Sequence, residues 1–121
     1  MTNSRDKGAR GEREAAAELR RVLGIEARRG VQHAGGPDSP DIVTENFPVH
    51  IEVKRAERFE LYGALAQATK DAGGKMPLVL HRRNHRPWVF VAYSGDLLAL
   101  AVAVATAIGR PVYPKESNHE A

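Results

Sequence analysis

DIVTENFPVHIEVK, residues 41–54, reads as a β-hairpin, and the rest of the chain is best read outward from it. Asp41 to Thr44 and Val49 to Lys54 are rich in β-branched residues and are separated by ENFP, a turn-forming stretch. The second strand alternates: Val49, Ile51 and Val53 face one way, and His50, Glu52 and Lys54 face the other. Pairing Thr44 with Val49 across the turn sets Ile42 against Ile51 and Asp41 against Glu52. Directly opposed Cβ atoms lie ~4.5–5.5 Å apart, where like charges repel. The hairpin therefore carries a conflict between two carboxylates, with Lys54 on the Glu52 face.

Upstream, Ser4 is a good N-cap and Gly24 a good stop for a helix over Ser4–Leu23. At ~100° per residue, Ala16, Leu19 and Leu23 form its apolar stripe, with Ala15 and Val22 on the flanks. Glu12 falls in the middle of that stripe, whereas Glu14 points to the opposite side. A carboxylate on a buried helix face is costly unless something pairs with it. Residues 25–40 read as a short strand followed by an irregular loop, HAGGPDSP.

Downstream, a second helix is expected over Phe59 to Ala72, closed by Gly73-Gly74. Leu61, Ala64, Leu65, Ala68 and Ala72 form its buried stripe, with Gln67 beside it. Two strands, Leu78 to His81 and Trp88 to Ala92, are joined by the basic loop Arg82 to Arg86, and Trp88 is expected in the core. A last helix begins near Gly95 or Asp96 and ends before Gly109. It is apolar almost all round, which calls for cover on more than one side, part of it from a second subunit. The order predicts an α/β or α+β sandwich.

The 121 residues suit one domain, expected over 1–113, with 114–121 as a disordered tail. The chain contains no cysteine, which excludes disulfides, zinc–thiolate sites, iron–sulfur clusters and cysteine nucleophiles within it. The histidines at 33, 50, 81, 85 and 119 lack zinc-ligand spacing. His50 shares the Glu52 face, where cross-strand packing is the expected role and a place near the carboxylates the alternative. Gly35-Gly36 lack a following Lys-Ser/Thr, so no nucleotide cofactor is expected. The charged N-terminal stretch has no apolar segment, and the apolar run Leu97 to Ile108 is too short to cross a bilayer. The expected location is the cytosol, with no membrane partner.

A hard divalent cation resolves the conflict of Asp41, Glu52 and inward-facing Glu12, because it takes oxygen ligands and neutralises their repulsion. Lys54 beside it is placed to orient a water or to stabilise a phosphate transition state. Together these are the apparatus of a metal-dependent phosphodiesterase. The plain alternative is a DNA-binding module in which the carboxylates and Lys54 form only an ion-pair network. Cations number 18 against 15 anions, and 13 of the 18 are arginine. Arg5, Lys7, Arg10 and Arg13 lie on the first helix, Arg28 and Arg29 precede the loop, and Arg55 and Arg58 follow the hairpin. Three groups flanking one site suit backbone tracking along DNA. The loop Arg82 to Arg86 is a fourth group, and few aromatics are available for stacking.

Pro40-Asp41, ten residues, then Glu52-Val53-Lys54 resembles the PD-(D/E)XK nuclease motif. Lys7-Gly8-Ala9-Arg10-Gly11-Glu12-Arg13 matches KGxxxER, a helix signature of archaeal-type Holliday junction resolvases and their phage relatives. Gln67-Ala68 is similar to the helix QA that follows the motif in these enzymes. The resemblance, over Lys7 to Val91, implies a restriction-endonuclease-like α/β core in which a mixed sheet is flanked by helices. It implies Glu12, Asp41, Glu52 and Lys54 as the catalytic set, with Gln67 in support. Asp41, Glu52 and the Val53 carbonyl would hold Mg²⁺, with Mn²⁺ as a substitute. Glu12 would join them directly or through water. The resemblance further implies four-way DNA junctions as substrate and a homodimer. Pro37-Asp38 also satisfies the first half of the motif, so Asp38 competes with Asp41, which is preferred because it opens the strand. A nuclease without junction preference is the nearest alternative.

Overall fold

The structure, a computed structural model, describes residues 4–30 and 40–109; the side chains of residues 4–7 are outside that description. Helix α1 spans Ser4–Leu23, followed by β1 (Ala27–Arg29), β2 (Ile42–Thr44) and β3 (Val49–Arg55). Next come α2 (Leu61–Asp71), β4 (Met76–Arg82), β5 (Val89–Val91), a 3₁₀ turn (Ser94–Asp96) and α3 (Leu97–Ile108). Asp38, His33, His119 and the expected tail 114–121 lie outside the described residues.

The five strands form one sheet in the order β1-β2-β3-β4-β5. All neighbours are antiparallel except β3 and β4, which run parallel from Val49↔Met76 to Arg55↔Arg82. A parallel pair needs a crossover, and α2 supplies it. Helices α1 and α3 cover one face, where Ala15, Ala16 and Leu19 pack with Ile42, Val49, Ile51, Leu78, Leu80 and Ala103. Helix α2 covers the other through a smaller cluster of Ala64, Leu65, Ala68 and Val79. The mixed sheet flanked by helices agrees with the expected restriction-endonuclease-like class.

The hairpin register holds at its centre, where Ile42 pairs with Ile51. Thr44 does not extend that ladder to Val49. Its hydroxyl instead donates to the Phe47 carbonyl at 3.1 Å, and Phe47 is buried in the core. Asn46, at φ 59°, takes the left-handed position of the turn. The two faces of β3 are as the alternation requires, but both are covered over its first half. The His50–Glu52 face looks into α2 and not into solvent.

Two element boundaries differ from expectation for identifiable reasons. Helix α2 starts at Leu61 because the Glu60 carboxylate caps it, accepting from the Gly63 amide at 2.6 Å. Phe59 stays outside the helix and stacks on His81, with ring centroids 3.9 Å apart. Strand β4 begins earlier, at Met76, and includes Pro77. Proline is tolerated there because β5 pairs only with Val79, Leu80 and His81, leaving Pro77 with a single neighbouring strand.

Helix α1 crosses the sheet at Gly11. A Cβ at that position would lie 2.6 Å from the Arg55 Cβ and 3.1 Å from its Cγ, so the close crossing depends on glycine. Gly8, one turn earlier, has open space around it. Replacing Gly by Ala in a helix gains ~1 kcal/mol in propensity, whereas overpacking costs ~1–3 kcal/mol. Gly11→Ala should therefore lower the melting temperature, and Gly8→Ala should raise it. Melting curves in which both variants behave alike would contradict this helix–sheet crossing.

Candidate active site

Asp41 stands where the chain enters β2, and its position is set from three sides. Its amide donates to the Ile51 carbonyl at 2.9 Å, and its own carbonyl accepts from the Gly30 amide at 2.8 Å. Its Oδ2 accepts from the Val53 amide at 2.8 Å. The first carboxylate is thus bonded to the peptide that follows Glu52. Because an extended residue directs its N–H and C=O to the same strand edge, the Val53 carbonyl also lies on the Asp41 edge.

Glu52 is buried beside it, at 9% exposure. Burial pushes its carboxyl above the usual range, and the charge of Asp41 pushes it further. A hydrogen bond from buried His50 opposes the shift, with His50 Nε2 lying 2.7 Å from Glu52 Oε2. Asp71, from α2, adds a smaller upward push. Glu12 reaches the same region from α1. It accepts from Arg29 Nε at 2.9 Å, yet burial, with help from Asp41, still raises its carboxyl.

Lys54 projects on the Glu52 face into an open cleft of about 350 Å³, lined also by Arg58, Phe59, Glu60, Gly63 and Gln67. Gln67 Nε2 donates to Asp71 Oδ1 at 3.0 Å, which orients the amide along the α2 surface. Lys54 and Gln67, far apart in sequence, are therefore neighbours across one cleft.

Among the described residues, no three His, Cys, Asp or Glu side chains group closely enough to hold a cation by themselves. The candidate donors are Asp41, Glu52 and the Val53 carbonyl, all hard oxygens. Two carboxylates with water and substrate phosphate making up the rest is how Mg²⁺ is ordinarily held. The raised Glu52 carboxyl next to Asp41 is the repulsion such a cation would relieve, so these residues fit the group. Glu12, paired with Arg29, fits a place behind them better than one among the direct ligands.

The basic residues divide into two sets. Arg10, Arg13 and Arg28 are exposed. Arg55, expected at DNA, is engaged within the protein. It lies on the α1 face of β3, donating to Glu14 Oε1 at 3.0 Å and Asn84 Oδ1 at 3.0 Å, and its side chain is only 19% exposed. It ties α1 to the loop after β4. Arg29, also expected at DNA, is the partner of Glu12 and is 41% exposed at its side chain. Arg5 and Lys7 belong to α1 by backbone, with side chains outside the description. Sequence reasoning missed the bond between His50 and Glu52, although their i, i+2 spacing on one strand was the signal for it. Asp71 carried no comparable signal, apart from its place four residues after Gln67 on a helix.

A mixed sheet whose central strand carries Glu52 and Lys54, with Asp41 bonded to the next peptide, defines a nuclease core of the PD-(D/E)XK class. Residues 3–112 match the family described as "Phage putative PDDEXK endonuclease", and the chain belongs to that family. Among solved structures, it is similar to that of Archaeoglobus fulgidus Hjc, a Holliday junction resolvase from an archaeal hyperthermophile. The two share 26% identity over 69% of this chain and 73% of that one, with a TM-score of 0.52. No curated protein matches.

The raised Glu52 carboxyl has a testable consequence for stability. The folded chain keeps this proton to higher pH than the unfolded chain. Stability therefore falls as pH rises from the ordinary glutamate range through the raised folded value, and the full penalty is present above it. Glu52→Gln removes the charge and keeps an acceptor for His50. In metal-free buffer at pH 7 the variant should melt higher than wild type, with the difference vanishing below about pH 4. A lower melting temperature at pH 7 would contradict the penalty that burial and Asp41 place on the Glu52 charge.

Proposed function

We propose that this nuclease is a divalent-cation-dependent endodeoxyribonuclease that cuts branched DNA, with the four-way junction as its principal substrate. The observation that carries the reading is the Asp41 carboxylate, held by the Val53 amide beside buried Glu52, on the strand from which Lys54 enters an open cleft. Mg²⁺, or Mn²⁺ in its place, would be held by Asp41, Glu52 and the Val53 carbonyl. When bound, it supplies charge neutralisation and polarisation of the scissile phosphate.

The chain's own groups do the remaining work. Lys54 orients the attacking water and stabilises the extra negative charge that develops on the phosphate oxygens. Gln67 supports the water or the phosphate from across the cleft. Glu12 contributes from behind the pair through water, while Arg29 keeps it oriented. Arg10, Arg13 and Arg28 track the phosphate backbone, joined by Arg5 and Lys7 from the start of α1, and Arg58 at the cleft. Recognition by shape suits a surface with few aromatics. The preference for junctions is supported by the likeness to the archaeal resolvase.

A four-way junction presents two strands for symmetric cutting, and a two-fold dimer is its geometric counterpart. Helix α3 offers the surface: Leu97 and Leu98 are each 70% exposed, and Val102 and Ile108 are also exposed. Val89 and Phe90 of the edge strand add to the uncovered apolar area.

A labelled mobile four-way junction, a flap and a linear duplex, incubated with Mg²⁺, test the reading. The junction should be cut fastest. Cleavage should be lost in EDTA and in Glu52→Gln or Asp41→Asn, with junction binding retained. Equal rates on all three substrates would leave a nuclease without junction preference, and tight binding without cleavage would point to a DNA-binding module. Light scattering at micromolar concentration should report a dimer that Leu98→Glu converts to a monomer; a monomeric wild type would contradict the paired-cleavage arrangement.

A further inference from the structure

His50 is buried at 3% exposure on the middle of β3, and the hydrogen bond its ring makes among the described residues is to Glu52. The period of the strand places the two side chains next to each other on the face covered by α2. Their partners across the parallel ladder are Pro77 for His50 and Val79 for Glu52, so β4 offers this pair no side-chain hydrogen bond. An apolar side chain would suit such surroundings better than an imidazole if packing were the only requirement. The ring nitrogen, 2.7 Å from Oε2, instead meets one chosen oxygen of one carboxylate.

We propose that His50 is a positioning residue, whose Nε2–H holds Oε2 of Glu52 and leaves Oε1 as the oxygen offered to the cation. The inference rests on the metal-dependent reading above and extends it to a residue that touches neither metal nor DNA. A carboxylate on a flexible side chain has many rotamers, and the cost of selecting one is otherwise borne when the ligand binds. The imidazole, 3% exposed at its side chain, makes that selection beforehand. Groups that orient a ligand in this way typically change metal affinity by about 10–100-fold when removed.

The test compares wild type, His50→Leu and His50→Gln, using Mn²⁺ alone as the probe. Affinity is read by isothermal titration calorimetry, melting temperature monitors the fold, and four-way-junction binding in EDTA monitors the DNA surface. His50→Leu should bind Mn²⁺ about 10–100-fold more weakly than wild type, with junction binding in EDTA unchanged. His50→Gln, whose amide can still donate to Oε2, should recover most of the affinity. Should the Leu variant fail to melt cooperatively, His50→Asn, whose shorter amide cannot reach Oε2, takes its place against His50→Gln. A folded His50→Leu or His50→Asn that binds Mn²⁺ as tightly as wild type overturns the proposal, as does a well-folded His50→Gln as weak as those variants. Wild-type protein that takes up no Mn²⁺ would instead overturn the metal-dependent reading itself.

Discussion

The bond from the Val53 amide to Asp41 Oδ2 is the constraint on which the site depends. Strand β2 pairs with β3 at only one position, Ile42 with Ile51. Beyond it the backbone ladder stops, and the Asp41 side chain takes the next amide of β3 in its place. A carboxylate therefore does the work of a strand residue, and in doing so it is held beside Glu52. Two anions do not settle together in a buried place without a reason. The folded chain holds them there because backbone hydrogen bonds fix Asp41 and the central strand fixes Glu52. Burial first, and the charge of Asp41 after it, raise the carboxyl of Glu52. Stability is given up locally at a point where a cation can recover it, which is the relation between fold and chemistry expected of a metal-dependent active site.

The rest of the molecule serves this point by packing. Helix α1 comes close enough to β3 at Gly11 to bring Glu12 to the back of the pair, and Glu14, two residues on, is clamped by Arg55 and Arg82. Helix α2 closes the other face through only a few apolar residues, and this thin cluster leaves the cleft open between Lys54 and Gln67. Strand β3 is buried on both faces over its first half. That burial raises the Glu52 carboxyl, and it adds to the effect of Asp41, since a charge is screened less in a dry environment than at the surface.

Much of this was legible in the chain itself, because it rests on period and register. Alternation along residues 49–54 separated Glu52 and Lys54 from Ile51 and Val53, and hairpin pairing placed Asp41 opposite Glu52. The helical stripe of α1 turned Glu12 inward. What could not be read was the choice of partners. An arginine's charge does not say which anion it will meet, so the bonds of Arg29 to Glu12 and of Arg55 to Glu14, across 17 and 41 residues, were not foreseen. The start of α2 was misplaced because Glu60 is a less usual cap than serine or aspartate. Pro77 hid the first residues of β4, since its tolerance there depends on how far β5 extends. These features depend on tertiary neighbours, and no local window of sequence contains them.

The central claim is that Asp41 and Glu52 are held together as a cation site. Crystals of the wild-type chain soaked in Mn²⁺, with diffraction recorded at the manganese absorption edge, test it most directly. The account predicts an anomalous-difference peak within coordination distance of Asp41, Glu52 and the Val53 carbonyl, and its loss in Asp41→Asn. Soaked wild-type crystals with no peak at these residues, or with manganese bound only elsewhere, would contradict it.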